Sequence, residues 1–155
     1  MWVLEGHTFT DDCLTPTNLK SDNGVILKKV IKPFSIQISN TASMKVINLI
    51  IMPGYLFDGA SIPKYFHWLI GKPWDPRFLV SFILHDVAYG THYFSRKASD
   101  EMLRDILLQI GKNPLKVKAI YSAVRTFGQG PWESPWPLPE GAARELCLYY
   151  EKEPK

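Results

Sequence analysis

The alternation of hydrophobic and polar residues changes its period along this chain. Phe34, Ile36 and Ile38 alternate with Ser35, Gln37 and Ser39, a period of two that turns one face of a strand towards a core. Residues 25–31 are rich in β-branched side chains and follow the turn signal Asp22-Asn23-Gly24. Residues 45–52 form a longer apolar run that stops at Pro53-Gly54. These segments predict about three antiparallel strands in a small sheet.

Further along, the period becomes helical. Phe78, Phe82, His85 and Tyr89 recur at i, i+4, i+7 and i+11, and Leu79, Ile83 and Asp86 form the adjacent stripe. Asp75-Pro76 supplies a cap followed by proline, which predicts a helix from there to about Tyr89, stopped by Gly90. Ser95 is placed to cap a second helix reaching Ile110 and ending at Gly111. Asn113-Pro114 repeats the cap-plus-proline signal for a third, ending near Phe127-Gly128. The stretch 129–141, QGPWESPWPLPEG, is too rich in proline for regular helix. A last short helix is predicted over 142–150. Strands followed by helices predict an α+β protein, with a small N-terminal antiparallel sheet and a three-helix C-terminal half. The expected layout is one domain over 1–155: a β-rich part at 1–57, a helical part at 58–128, a Pro/Trp arm at 129–141, and a helix and tail at 142–155.

Composition narrows the class. The 155 residues are 46% apolar and 21% charged, enough to bury a core and too apolar for a disordered chain. No run approaches the roughly 20 apolar residues of a membrane span. The N-terminus shows no basic and apolar leader, so neither a signal peptide nor a transmembrane segment is expected. Cys13 and Cys147 match no zinc spacing, which favours a reducing compartment. The net charge of +3 is too small to predict a nucleic-acid partner. It divides into +4 over residues 95–128 and −2 over 129–155. A solvated helical face with an acidic tail, or a weakly basic face for phosphates, would both give that division.

The candidate chemistry lies where polar residues interrupt apolar stripes. His85 and Asp86 occupy core-facing positions, and burying a carboxylate is costly unless it is paired. Asp100 aligns with Leu103 and Leu107 on the next helix. Packed as an antiparallel pair, the two helices let Asp100 hold one nitrogen of His85. The other nitrogen is then a general base, and Asp86 can take a metal. The same residues could equally be a satisfied core pair. Upstream, LFDGASIP offers oxygens from Asp58 and Ser61 in a small-residue loop suited to a hard cation or an oxyanion. Alternatively, Ser61 caps a short helix over 62–70. Arg125 can brace a buried carboxylate such as Asp86 or Asp100, or bind an anionic substrate. Walker, dinucleotide-binding, G-x-S-x-G and H-E-x-x-H motifs are absent from the sequence.

FDGASIP, FILHDVAY, SRKASD and AVRTFG, in that order over about residues 45–128, resemble a family of uncharacterised proteins from tailed phages and bacteria, catalogued as a domain of unknown function. The resemblance implies a phage or prophage origin, a place in the host cytoplasm or the virion, and other phage proteins as partners. A more distant likeness joins H-D-x-x-Y and the Asp of the following helix to the catalytic helix pair of secreted phospholipase A₂. It implies His85 as base, Asp100 as its orienter, Tyr89 as a brace, and Asp86 with Asp58 as calcium ligands. Two functions follow as expectations. One is a hydrolase-like pocket of Asp58, Ser61, His85, Asp86, Tyr89 and Asp100 acting on an ester, assisted by calcium or magnesium. The other is a phage structural or accessory protein in which the cluster is structural and Trp132 and Trp136 dock the arm on a neighbouring chain.

Overall fold

A computed structural model describes residues 1–22, 24–58, 67–71 and 74–152. The order of elements is β1 (Trp2–His7), β2 (Leu14–Lys20), β3 (Ile26–Val30), β4 (Phe34–Asn40), β5 (Lys45–Ile51), β6 (Leu56–Phe57), α1 (His67–Ile70), α2 (Leu79–Thr91), α3 (Arg96–Gln109), α4 (Pro114–Phe127), α5 (Gln129–Glu133), α6 (Glu140–Glu145) and β7 (Cys147–Lys152). The protein is α+β, with six strands first, three long helices after them and a seventh strand following the helices.

The strands make two antiparallel sheets, ordered β1-β4-β5-β7 and β2-β3-β6. The alternation read at Phe34, Ile36 and Ile38 is the buried face of β4, and Ile47, Leu49 and Ile51 continue it on β5. Against this face pack Ile83, Leu84, Val87 and Ala88 of α2 and Met102 and Ile106 of α3. A second apolar cluster, with Phe82, Leu103, Leu107, Ile120 and Val124, joins α2, α3 and α4 on the side away from the sheet. α2 is therefore enclosed between two cores: twelve of its thirteen residues are buried, and Asp86 is the exception. A helix apolar nearly all round belongs in such a place.

The edge strand β1 is protected by a helix. Asp105 of α3 accepts from the Trp2 amide at 2.9 Å. The Gln109 amide group accepts from the Leu4 N–H at 2.8 Å and donates to the Leu4 carbonyl at 2.9 Å. Side chains thus occupy backbone groups that an open sheet edge would offer to another chain.

Two helix starts agree with the sequence and one does not. Ser95 accepts from the Ala98 amide, and Asn113 accepts from Leu115 and Lys116 with Pro114 in the first helical position. α2 begins at Leu79, later than the cap at Asp75 implied. The Asp75 carboxylate is taken up by the Arg77 amide and guanidinium, and its carbonyl closes a turn onto Phe78. That guanidinium holds the Asp75 carboxyl down at about 2.

The C-terminal part departs further. The helix expected over 142–150 ends at Glu145, and residues from Cys147 onward form β7 on β5 instead. Cys147 turns inward as a buried free thiol, pushed up to about 12 by that burial, and Cys13 is likewise buried and free. The Tyr149 hydroxyl meets Thr91 Oγ1 at 2.8 Å, tying the strand to the end of α2. Within the Pro/Trp stretch, α5 forms one short turn of helix despite Pro131. No helix among the described residues is long and apolar enough to cross a membrane.

Candidate functional site

The site is organised by Asp100, a fully buried carboxylate on α3. Its Oδ1 accepts from the Tyr89 hydroxyl at 2.6 Å and from His85 Nε2 at 2.9 Å, both one helix away on α2. Its Oδ2 accepts from Arg125 Nη1 on α4 at 2.7 Å, and Arg96 Nη1 stands 3.9 Å away on α3 itself. Spacing explains the convergence. His85 and Tyr89 are four residues apart and share a face, and Asp100 lies in line with the buried Leu103 and Leu107. Arg96 also donates to the carbonyls of Val124 and Arg125 in the last turn of α4. One carboxylate therefore joins three helices.

Burial by itself raises the Asp100 carboxyl. The hydrogen bonds from His85, Tyr89 and Arg125 outweigh it and hold the group below the ordinary carboxylate range. An ionised carboxylate only accepts, so Nε2 of His85 carries the hydrogen it shares with Asp100. In the neutral ring Nδ1 then holds the lone pair. The Tyr89 ring lies 4.3 Å from the His85 ring, centroid to centroid, and burial pushes its hydroxyl well above its usual range.

His85 and Tyr89 also line a cavity of about 500 Å³. Asp86, the one residue of α2 that is not buried, opens onto it, as does Asp58 just after β6. Tyr55 and Leu56 line it from the second sheet, and Val124, Phe127 and Gly128 from the end of α4. Among the described residues, Gly130, Pro131 and the stretch from Ser134 to Leu138 also line it.

The sequence-derived residues thus separate into groups. His85, Tyr89 and Asp100 come together, and Asp58 and Asp86 line the same cavity as His85 and Tyr89. Ser61 lies outside the described residues. Arg125 is bound to Asp100 and is not part of the cavity lining, which is the bracing alternative. Among the described residues, no three His, Cys, Asp or Glu side chains converge as a metal site. Trp132 is half-buried rather than exposed: its ring meets Tyr89 edge-on at 5.3 Å and His92 at 4.1 Å. Trp136 remains exposed and faces the cavity. His92 is half-buried and bonded to Glu140 and to the Trp132 carbonyl.

Gly128 is a residue of the site that sequence patterns read only as a helix stop. A methyl group there would run into the Val124 carbonyl of α4 itself, and would stand 2.5 Å from the Tyr89 hydroxyl and 3.3 Å from Arg96 Nη1. Gly128→Ala is expected to push Tyr89 off Asp100 and destabilise the protein by about 1–3 kcal/mol, as overpacking does. Thermal unfolding measures the loss, and a shifted tyrosine ultraviolet spectrum reports the freed hydroxyl. An unchanged melting curve would contradict the close approach.

Residues 29–124 match a family described as "Protein of unknown function (DUF1353)". "Uncharacterized protein y4iH" of Sinorhizobium fredii (strain NBRC 101917 / NGR234) is 30% identical over 91 residues, which cover 59% of this chain and 38% of that protein. The chain therefore spans well under half the length of that relative. No solved structure matches it.

Proposed function

We propose a hydrolytic function for this chain from the premise that it belongs to the DUF1353 family, whose match over residues 29–124 takes in the FDGASIP, FILHDVAY and SRKASD motifs. One observation carries the proposal: a buried, ionised Asp100 holds Nε2 of a histidine that lines a cavity. His85 Nδ1 takes a proton from water as the water oxygen attacks an ester carbonyl carbon. The C–O bond to the leaving alcohol then breaks, and Nδ1 returns the proton to that oxygen. Asp100 stays ionised throughout and stabilises the imidazolium formed in between. Arg125 and Arg96 keep it ionised, and Tyr89 fixes its orientation. In the phospholipase-like reading a calcium ion would sit on Asp58 and Asp86 and polarise the carbonyl. Two carboxylates are an incomplete donor set for that ion, and the steps above do not pass through it.

The other reading is a phage accessory protein in which Asp100 is only a structural lock. It is favoured by the saturation of this carboxylate, which faces His85, Tyr89, Arg125 and Arg96 together. Hydrolysis of p-nitrophenyl acetate and butyrate by the full chain near pH 7.5 separates the two, with calcium, magnesium or chelator as parallel arms. The hydrolytic reading predicts turnover well above the buffer rate. Turnover at the buffer rate in all arms would leave the lock.

A further inference from the structure

We infer that the Tyr55 hydroxyl is the oxyanion donor of the cavity, holding the carbonyl oxygen of an ester while His85 activates the water. The inference rests on the hydrolytic reading of the same cavity. Tyr55 is 3% exposed and lines the cavity. A methyl group at Gly90 would stand 2.7 Å from the Tyr55 hydroxyl, and Gly90 lines the cavity as well. The hydroxyl therefore lies at the cavity wall, against the backbone of α2. The Tyr89 hydroxyl is taken up by Asp100. That of Tyr55 has no hydrogen-bond partner among the described residues. A buried tyrosine O–H usually finds a partner, so this one is left for an oxygen brought into the cavity.

The donor is held in place before any ligand arrives. Gly54, at φ 102°, turns the chain into Tyr55 and donates its amide to the Val30 carbonyl at 2.8 Å. The Tyr55 carbonyl accepts from the Val30 amide at 2.8 Å, and its ring stacks on Phe57 with centroids 4.7 Å apart. Burial pushes the hydroxyl far above its usual range, so it stays protonated and remains a donor. A donor fixed in this way needs no reorganisation when charge develops on the oxygen it faces.

Helix geometry relates the donor to the base. α2 turns two adjacent stripes to the cavity, His85 with Tyr89 and Asp86 with Gly90. His85 and Gly90 stand about 7.5 Å apart along the axis. A base, its water, the carbonyl under attack and the donor on its oxygen extend over a similar distance. Asp86 stands one turn before Gly90, on the N-terminal side, and has an interaction of its own. As the water oxygen bonds to the carbonyl carbon, the π pair of the C=O bond moves to its oxygen. Tyr55 donates a hydrogen bond to that oxyanion and keeps its proton. When the pair returns, the C–O bond to the leaving alcohol breaks and the proton held by His85 goes to that alcohol.

The test uses the full chain and Tyr55→Phe, which keeps the ring and removes the oxygen. On p-nitrophenyl butyrate the variant is expected to lose about 10²–10³-fold in kcat, the usual worth of one oxyanion donor. KM should stay within about threefold, because the bond strengthens only as charge develops. The hydroxyl bonds nothing else among the described residues, so the variant should melt no lower than the native chain. The second readout needs no hydrolysis. The carbonyl infrared band of carbon-13-labelled 2-hexanone is expected at lower frequency when bound to the native chain than when bound to Tyr55→Phe. A variant as fast as the native chain, a variant that melts several degrees lower, or one ketone band common to both proteins would overturn the inference. A ketone band that responds to Tyr55 without ester turnover by the native protein would overturn the base and leave the donor. Turnover that needs His85 and is indifferent to Tyr55 would overturn the donor and leave the base.

Discussion

Asp100→Asn is expected to cost the protein about 3 kcal/mol, a large part of the 5–15 kcal/mol that holds a typical domain folded. The substitution keeps the shape and removes the charge. Arg125 then faces a neutral amide across 2.7 Å, and the amide cannot accept from Tyr89 and His85 on the same side and from Arg125 on the other as a carboxylate does. Removing one partner of a buried ion pair costs about 3–5 kcal/mol. The Arg125 side chain is partly exposed, which favours the lower end. For a chain of this size the melting temperature should fall by roughly 6–12 °C. The pH dependence has a definite direction. The Asp100 carboxyl is held below its ordinary value in the folded protein, so its contribution is present above the ordinary carboxylate range, about pH 3.9, and fades as pH falls through the folded value. The gap between native and Asp100→Asn proteins should therefore be wide near neutrality and narrow in acid. Thermal unfolding from pH 7 down to pH 3 measures it. A constant gap would contradict the assignment of an ionised Asp100.

His85→Gln is expected to remove about 10²–10⁴-fold of ester hydrolysis, the usual worth of a positioned general base. Glutamine can still donate an amide hydrogen to Asp100 but has no basic nitrogen to take a proton from water. The fold should survive, because Tyr89 and Arg125 remain on the carboxylate. The comparison is kcat/KM for p-nitrophenyl butyrate in native and variant proteins with matched circular dichroism. A variant that hydrolyses the ester as fast as the native chain would remove His85 from the chemistry.

The parts legible in the sequence are those encoded by short-range contacts. Ser95 and Asn113-Pro114 marked helix starts because a cap bonds within its own first turn. His85 and Asp100 stood out because each interrupts an apolar stripe on neighbouring helices, and the short connection through residues 92–95 brings those helices together. What stayed hidden depends on distant partners. β7 exists because residues 147–152 pair with a strand about one hundred positions earlier, and Cys-Leu-Tyr-Tyr alone suits helix and strand alike. β1 is short, bulged between Leu4 and Gly6, and completed by Asp105 and Gln109. Arg96 and Gly128 serve the site only through tertiary packing. The Pro/Trp stretch looked like an arm for a partner because proline excludes helix, while its anchorage by His92 has no local signature.

The claim that Asp100 and His85 act as one unit is tested most directly by a double-mutant cycle on ester hydrolysis. kcat/KM is measured for the native chain, His85→Gln, Asp100→Asn and the double variant, at a temperature where all four are folded. Residues that act through one another are non-additive, so the double variant should be no slower than His85→Gln alone, within about threefold. A double variant slowed by the product of the two single losses would show that Asp100 does not work through His85.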